Sequence, residues 1–256
     1  ELTAVKVDPQ NVHTIWIGAS FGTPLLVPRV IKISNANTTS PVVLTIANIA
    51  SVPPAQPVPA GSAISSIDVD PANPNHILVT LSNYGTNSVW ESTNGGTSFT
   101  SIEGNLPDMP VRWGIFAPAN AQLNGTTGGD GGILLATELG VWTTSQINGS
   151  STQWIPNNTG LANIRTDMLR YRASDNIIAA ATHGRGLFTT QLPTIVTGVG
   201  DPVNTKDFIK YINSEKGRLL IVAGKLQIRT MDIQLFDMNG RNVYHFSGAY
   251  RNTTID

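Results

Sequence analysis

Cysteine is missing from the 256 residues, and charge is scarce: Asp, Glu, Lys and Arg make up 13% of the chain, for a formal net charge of −1. Without cysteine there is no disulfide scaffold, no thiolate metal site and no cysteine nucleophile. Near-neutrality, with a pI near 6.5, removes the general electrostatic case for nucleic acid or an anionic membrane surface as partner. Long apolar runs are missing too. No stretch approaches the roughly 20 residues of a membrane span, because charged or turn residues interrupt each one. What is present is 40% hydrophobic residue, enough for a sizeable core, punctuated by 24 glycines and 16 prolines. Wholesale disorder is thereby excluded.

The few charges are unevenly placed. Residues 1–200 carry 8 Lys/Arg and 11 Asp/Glu, whereas the last 56 residues carry the other 8 and 6. All five tryptophans (Trp16, Trp90, Trp113, Trp142, Trp154) lie in the first part. Between the two runs Leu192-Pro193-Thr194-Ile195-Val196-Thr197-Gly198-Val199-Gly200-Asp201-Pro202, a Pro/Gly-punctuated stretch with linker character. The expected organisation is one domain over 1–192, a linker over 193–202 and a second domain over 203–256. The chain opens inside a strand-like run and stops as a new alternation restarts at Thr254-Ile255-Asp256. It is expected to be part of a longer polypeptide.

Repeats decide the architecture. Val5-Lys6-Val7-Asp8-Pro9-Gln10-Asn11 recurs 62 residues later as Ile67-Asp68-Val69-Asp70-Pro71-Ala72-Asn73, with a weaker copy at Ile115-Phe116-Ala117-Pro118-Ala119-Asn120. Short β-rich runs follow: His13–Gly18, Ile77–Thr80, Ile133–Thr137, and a fourth at Ile177–Thr182. Alternation into an Asp-Pro turn and out again reads as a hairpin or meander. Gly140-Val141-Trp142 and Gly186-Leu187-Phe188 each follow a strand ending in Thr, at Thr137 and Thr182. Phe99 leads to Asn105-Leu106-Pro107 and Trp154 to Gly160-Leu161-Ala162, two copies 55 residues apart. Short strands at this spacing without helical periodicity indicate repeated four-stranded sheets that bury their faces against one another. A β-propeller explains a period of roughly 45–60 residues better than a sandwich does.

The strongest local motif is Ser92-Thr93-Asn94-Gly95-Gly96-Thr97-Ser98-Phe99. It resembles the Asp-box pattern, Ser-x-Asp-x-Gly-x-Thr-Trp, with Asn94 for Asp, Ser98 for Thr and Phe99 for Trp. In that pattern an Asx side chain folds back on its own backbone, Gly supplies a positive-φ position, and the aromatic plugs between blades. With Ala136-Thr137-Glu138-Leu139-Gly140-Val141-Trp142 and Ala181-Thr182-His183-Gly184-Arg185-Gly186-Leu187-Phe188, residues 1–192 resemble the BNR/Asp-box β-propellers. That superfamily includes sialidases, sortilin-type receptors and xyloglucan-cleaving glycoside hydrolases. The resemblance implies Ser92, Asn94, Gly96, Ser98 and Phe99 as Asp-box structural residues, and His183 and Arg185 as candidate channel-facing residues. At roughly 50 residues per blade the length holds about four blades, against the six to eight, approximately, of a family propeller.

Residues 203–256 read as a small β domain. Arg218–Val222 is one strand; Asp232–Asp237 alternates and turns through Met238-Asn239-Gly240-Arg241 into Asn242–Phe246. Asn-Gly between alternating runs is a strong hairpin signal. Ile233-Gln234-Leu235-Phe236-Asp237-Met238-Asn239-Gly240-Arg241-Asn242-Val243 resembles the core of the C-terminal sorting domain of Bacteroidetes type IX secretion cargo. That family domain is an Ig-like β-sandwich, and Asp237, Asn239, Gly240 and Arg241 map onto its hairpin. The Tyr-Pro-Asn-Pro opening of the family is replaced here by Phe208-Ile209-Lys210-Tyr211-Ile212-Asn213-Ser214. The resemblance implies type IX translocon, shuttle and sortase components as partners of 203–256, and a secreted or outer-membrane cell-surface location. It also argues against a role for the sequons at Asn37, Asn124, Asn148, Asn157 and Asn252, which matter in a eukaryotic secretory pathway.

Chemistry is thinly written. His13 and His76 take equivalent places after the Asp-Pro turns, no HxH or HExxH spacing exists, and no metal or cofactor is expected. No phosphate-cradling glycine loop and no GxSxG elbow occurs. Glycoside hydrolysis needs two carboxylates across a sugar site; those available are Asp108, Asp130, Glu138 and Asp167, and sequence gives no separation for any pair. Asp130, within Gly128-Gly129-Asp130-Gly131-Gly132, reads as a solvated loop with too few ligands for Ca²⁺. A sialidase-like site needs an arginine cluster, and Arg112, Arg165, Arg170, Arg172 and Arg185 fall on no family motif. The tryptophans read as core between blades before sugar-stacking platforms. The expected function is a secreted or cell-surface bacterial β-propeller acting as a binding module for glycan or protein. The alternatives are an Asp-box glycoside hydrolase whose catalytic residues lie largely in missing blades, and a structural subunit of a surface assembly.

Overall fold

The alternating runs fold as strands, and the Asp-Pro and glycine turns return each strand beside the last. The computed structural model describes residues 1–21, 27–48, 61–123, 132–194, 208–213, 218–223, 230–236, 240–249 and 253–255. They fall in two units, Glu1–Ile195 and Val196–Asp256.

In the first unit, β1 (Leu2–Val7), β2 (Ile15–Phe21), β3 (Val27–Ser34) and β4 (Val42–Asn48) form an antiparallel sheet in chain order. The second sheet is β5 (Ile64–Asp70), β6 (Asn73–Leu81), β7 (Val89–Ser92) and β8 (Thr100–Ser101). The third is β9 (Val111–Ala117), β10 (Gly132–Thr137), β11 (Gly140–Thr144) and β12 (Ile155–Pro156). A three-stranded sheet follows, made of β13 (Thr166–Arg172), β14 (Ile177–Thr182) and β15 (Gly186–Gln191).

First strands stand side by side, β5 against β1, β9 against β5 and β13 against β9. Side chains of β5 stitch them laterally. Gly114 N–H donates to Ser66 Oγ at 2.9 Å and Phe116 N–H to Asp68 Oδ2 at 2.8 Å, while Lys6 Nζ lies 2.5 Å from Asp68 Oδ1. Glycine is required at 114, since a Cβ there would lie 2.8 Å from Leu78 Cδ2 and 2.9 Å from Thr80 Cγ2. Consecutive meanders joined through their first strands are β-propeller blades. The first unit is therefore a run of four blades, the last with three strands among the described residues.

The core lies between blades. Trp16 and Val30 of the first blade meet Ile77, Val79, Trp90 and Phe99 of the second. Leu78, Val89 and Ile102 of the second meet Ile133, Leu135 and Trp154 of the third. Leu134 and Val141 of the third meet Ile178 and Ala180 of the fourth. Alternate residues of β6 and of β10 thus serve opposite interfaces, as the two-residue period of a strand dictates. Trp16, Trp90 and Trp154 are fully buried, each such ring contributing roughly 2–3 kcal/mol by area removed from water. Trp113 and Trp142 are partly buried.

The described residues of the second unit are also strands and turns. β16 (Phe208–Asn213), β17 (Arg218–Ala223) and β20 (Thr253–Ile255) form one antiparallel sheet, and β18 (Thr230–Phe236) pairs with β19 (Asn242–Ala249). Among the described residues no helix is long and apolar enough to cross a membrane.

Candidate functional site

The register of the third and fourth sheets gathers charge along one edge. Thr137, ending β10, pairs with Val111 at the start of β9 and with Gly140 at the start of β11. Thr182, ending β14, pairs likewise with Thr166 and Gly186. Each threonine hydroxyl closes its turn, donating to Gly140 O at 2.9 Å and to Gly186 O at 2.7 Å. The turns hold Glu138 in one blade and His183 and Arg185 in the next, beside Arg112 and Asp167 on the first strands.

These side chains form a ladder across the blades. Arg112 donates through both Nε (2.9 Å) and Nη2 to Glu138 Oε1. Arg165 Nε donates to Asp167 Oδ1 at 2.7 Å, and Asp167 Oδ2 lies 3.4 Å from His183 Nδ1. The hydrogen bond to Asp167 raises the Arg165 pKa against the opposing desolvation, and the charges of Asp167 and, last, Glu138 add to the rise. Arg170, on β13, stacks over Trp113 with its guanidinium carbon 5.2 Å from the ring centre, a cation–π contact. Arg112 and Arg165 hold the two carboxylates, while Arg170 lies over Trp113 and Arg185 is exposed in its turn, so this side of the two blades carries four arginines to two carboxylates in a chain of net charge −1. Of the five arginines singled out in the sequence, Arg172 alone goes elsewhere, pairing with Asp175 in the next turn.

The other acids lie apart from this ladder. Asp108 is exposed in the loop from β8 to β9, and its Oδ1 accepts the Gly85 N–H at 2.7 Å. Asp130 lies outside the described residues. A residue the sequence did not flag stands near Asp108: Glu103 Oε2 accepts the Ser88 N–H at 2.7 Å and the Val89 N–H at 3.0 Å. Burial pushes the Glu103 carboxyl up to about 7; the two amides pull it down, and the Asp108 charge adds to the rise. Nothing in the local sequence marks it, because the burial comes from neighbouring strands.

The opposite edge carries turns. Asp8 Oδ1 accepts the Gln10 and Asn11 N–H groups, and Asp70 Oδ1 the Ala72 N–H. In the turn from β7 to β8, Ser92 Oγ accepts the Gly96 N–H at 2.8 Å and Asn94 Oδ1 accepts the Ser98 N–H at 3.0 Å. Asn94 Nδ2 donates to Ser98 Oγ at 2.8 Å, Gly95 and Gly96 take φ of 68° and 84°, and Phe99 is buried. His76 lies between Glu91 Oε2 (3.0 Å from Nε2) and Asp70 Oδ2 (3.4 Å from Nδ1). Burial would lower its pKa, but the bonds and charges of Glu91, then Asp70, raise it. Among the described residues no three His, Asp or Glu side chains group as a metal site. In the second unit Asp237 and Asn239 lie outside the described residues, Gly240 takes φ 77°, and Arg241 is exposed.

No protein-family model and no curated protein matches the chain. Among solved structures it is similar to a GH74 enzyme of Niastella koreensis, at 17% identity and a TM-score of 0.45, covering 71% of this chain and 26% of that one. It is similar to PorZ, an essential surface component of the type-IX secretion system of Porphyromonas gingivalis, at 14% identity and a TM-score of 0.49, covering 100% of this chain and 34% of that one. A GH74 xyloglucanase from Xanthomonas campestris shares 14% identity at a TM-score of 0.43, covering 87% of this chain and 44% of that one. The chain thus spans from about a quarter to under half of these proteins. The blade assignment rests on sheet order and first-strand contacts within this chain.

Proposed function

We propose that the chain belongs to a secreted or cell-surface bacterial β-propeller protein that binds acidic glycans through the Arg112–Arg185 edge. One observation carries this reading: the carboxylates of Glu138 and Asp167 are held by arginines, while Arg170 lies over Trp113 and Arg185 is exposed in its turn, neither in an ion pair among the described residues. Paired acids fix the guanidinium planes, and the surplus positive charge suits a sugar carboxylate, which arginine binds in a bidentate fork. The Ser92–Phe99 turn supports an Asp-box reading of the blades, since Ser92 and Asn94 close it as that motif requires. The β18–β19 hairpin with Gly240 at positive φ supports the sorting-domain reading of 203–256.

Calorimetric titration of the full chain with a uronic-acid oligosaccharide and its carboxyl-reduced counterpart tests the glycan reading. The acidic sugar should bind at least about tenfold more tightly, and Arg185→Ala with Arg170→Ala should erase the difference. Equal binding of both sugars, or none, would contradict it. Glu103 favours a second reading, a glycoside hydrolase, because a carboxyl titrating near neutrality suits a general acid. Released sugar in the same titrations would establish that reading instead.

A further inference from the structure

Asn-Gly occurs four times in the chain, at Asn94, Asn124, Asn148 and Asn239. Asn124 and Asn239 lie outside the described residues. The dipeptide is chemically labile because glycine has no side chain to shield its nitrogen or restrict its backbone. That nitrogen can attack Cγ of the preceding asparagine. The new N–Cγ bond forms, the Cγ–Nδ2 bond breaks, and ammonia leaves with the proton that the glycine nitrogen gives up. Water then opens the cyclic imide, its hydroxyl going to a carbonyl carbon and its other proton to the nitrogen. Opening at one carbonyl gives aspartate; opening at the other gives isoaspartate, with an extra carbon in the backbone.

Asn94 and Asn148 are both exposed, so access to water does not separate them. Their hydrogen bonds do. Asn94 is held at the atoms the reaction uses. Its Oδ1 accepts the Ser92 hydroxyl at 2.9 Å and the Ser98 N–H at 3.0 Å, and its Nδ2 donates to Ser98 Oγ at 2.8 Å. The attacking nitrogen is held too, since Gly95 N–H donates to Asn75 O of β6 at 2.9 Å. Donors on Oδ1 polarise the amide, but a side chain tied at both ends cannot swing onto that nitrogen.

Asn148 has none of these restraints. Its side chain makes no hydrogen bond among the described residues, and neither does the Gly149 N–H. Asn148 precedes a single 3₁₀ turn, Gly149–Ser151, in which no residue is buried. Ring closure needs rotation away from the Asn148 ψ of 47°, and a short exposed turn opens at low cost. The turn matters to the core behind it. Asn148 N–H donates to Thr152 Oγ1 at 2.9 Å, and the Thr152 hydroxyl donates to Gly149 O at 2.8 Å. Thr152 O accepts the Asn105 N–H at 3.3 Å, and Asn105 Oδ1 accepts the N–H of buried Trp154 at 2.6 Å.

We propose that Asn148 is a site of spontaneous deamidation whose isoaspartate product loosens the seat of Trp154, while the same dipeptide at Asn94 is locked by its turn. The inference is independent of the glycan reading.

The test incubates the full chain in mildly alkaline buffer made with heavy-oxygen water and follows its proteolytic peptides by mass spectrometry. Asn148 should convert at least about tenfold faster than Asn94, the difference that opening the Asn94 hydrogen bonds would impose on the rate. In concentrated urea the two sites should convert at matching rates. Hydrogen exchange at the Gln153–Ile155 amides should quicken in aged wild type and stay unchanged in aged Asn148→Gln, whose longer side chain closes the ring poorly and whose loss removes no bond. Equal rates at the two sites in the folded chain would overturn the proposal. So would a rate ratio that persists in urea, which places its cause in local sequence, or equal exchange in aged wild type and variant.

Discussion

Glu103 shows how a single buried side chain sets a pH dependence. Its carboxyl titrates at about 7 in the folded protein against 4.5 when unperturbed, chiefly because burial disfavours the charge. Between those values the folded state keeps a proton that the unfolded chain has released, so this group's contribution to stability falls as pH rises through the window. Urea unfolding at pH 4.5 and at about pH 8 should show wild type losing roughly 2–3 kcal/mol relative to Glu103→Gln, which has no proton to release. Parallel pH profiles for the two proteins would contradict the burial argument. Asp68 lies at the same scale: burial raises its pKa, and Lys6 with the Phe116 N–H opposes that rise while tying three blades together.

At the scale of elements, turns were more legible in the sequence than the strands that follow them. Asp8, Asp70 and the Ser92–Phe99 turn were readable because a short polar side chain bonding its own backbone is a local event. The two-residue strands β8 and β12 were not readable as strands, since their pairing is fixed by Phe99 and Trp154 entering cores built by a neighbouring blade. Asn94→Ala removes the acceptor for the Ser98 N–H and for the Ser92 hydroxyl, and should destabilise the fold by roughly 1–2 kcal/mol. Asn94→Asp keeps that acceptor and should lose less in thermal unfolding. Equal melting of wild type and both variants would show that the turn is held by its glycines alone.

At the scale of the whole molecule, the charged edge was invisible in the sequence for a topological reason. Arg112 and Glu138 are 26 residues apart, and Arg165 belongs to the next blade; adjacency comes from the register of two sheets and the packing of β13 against β9. Arg165 and Asp167 alone were close enough in sequence to suggest a pair. The proposed sorting role of the second unit, Val196–Asp256, has its own test. Deleting residues 203–256 in a Bacteroidetes host with type IX secretion should leave the protein in the periplasm; undiminished export would remove the sorting reading.

The central claim, that the Arg112–Arg185 edge is the ligand-binding face, is tested most directly by hydrogen exchange of the full chain with and without the acidic oligosaccharide. Slowed exchange is expected in the turns at 137–140 and 182–186, with no change in the Ser92–Phe99 turn at the opposite edge. Protection confined to that opposite edge, or absent from both, would contradict it.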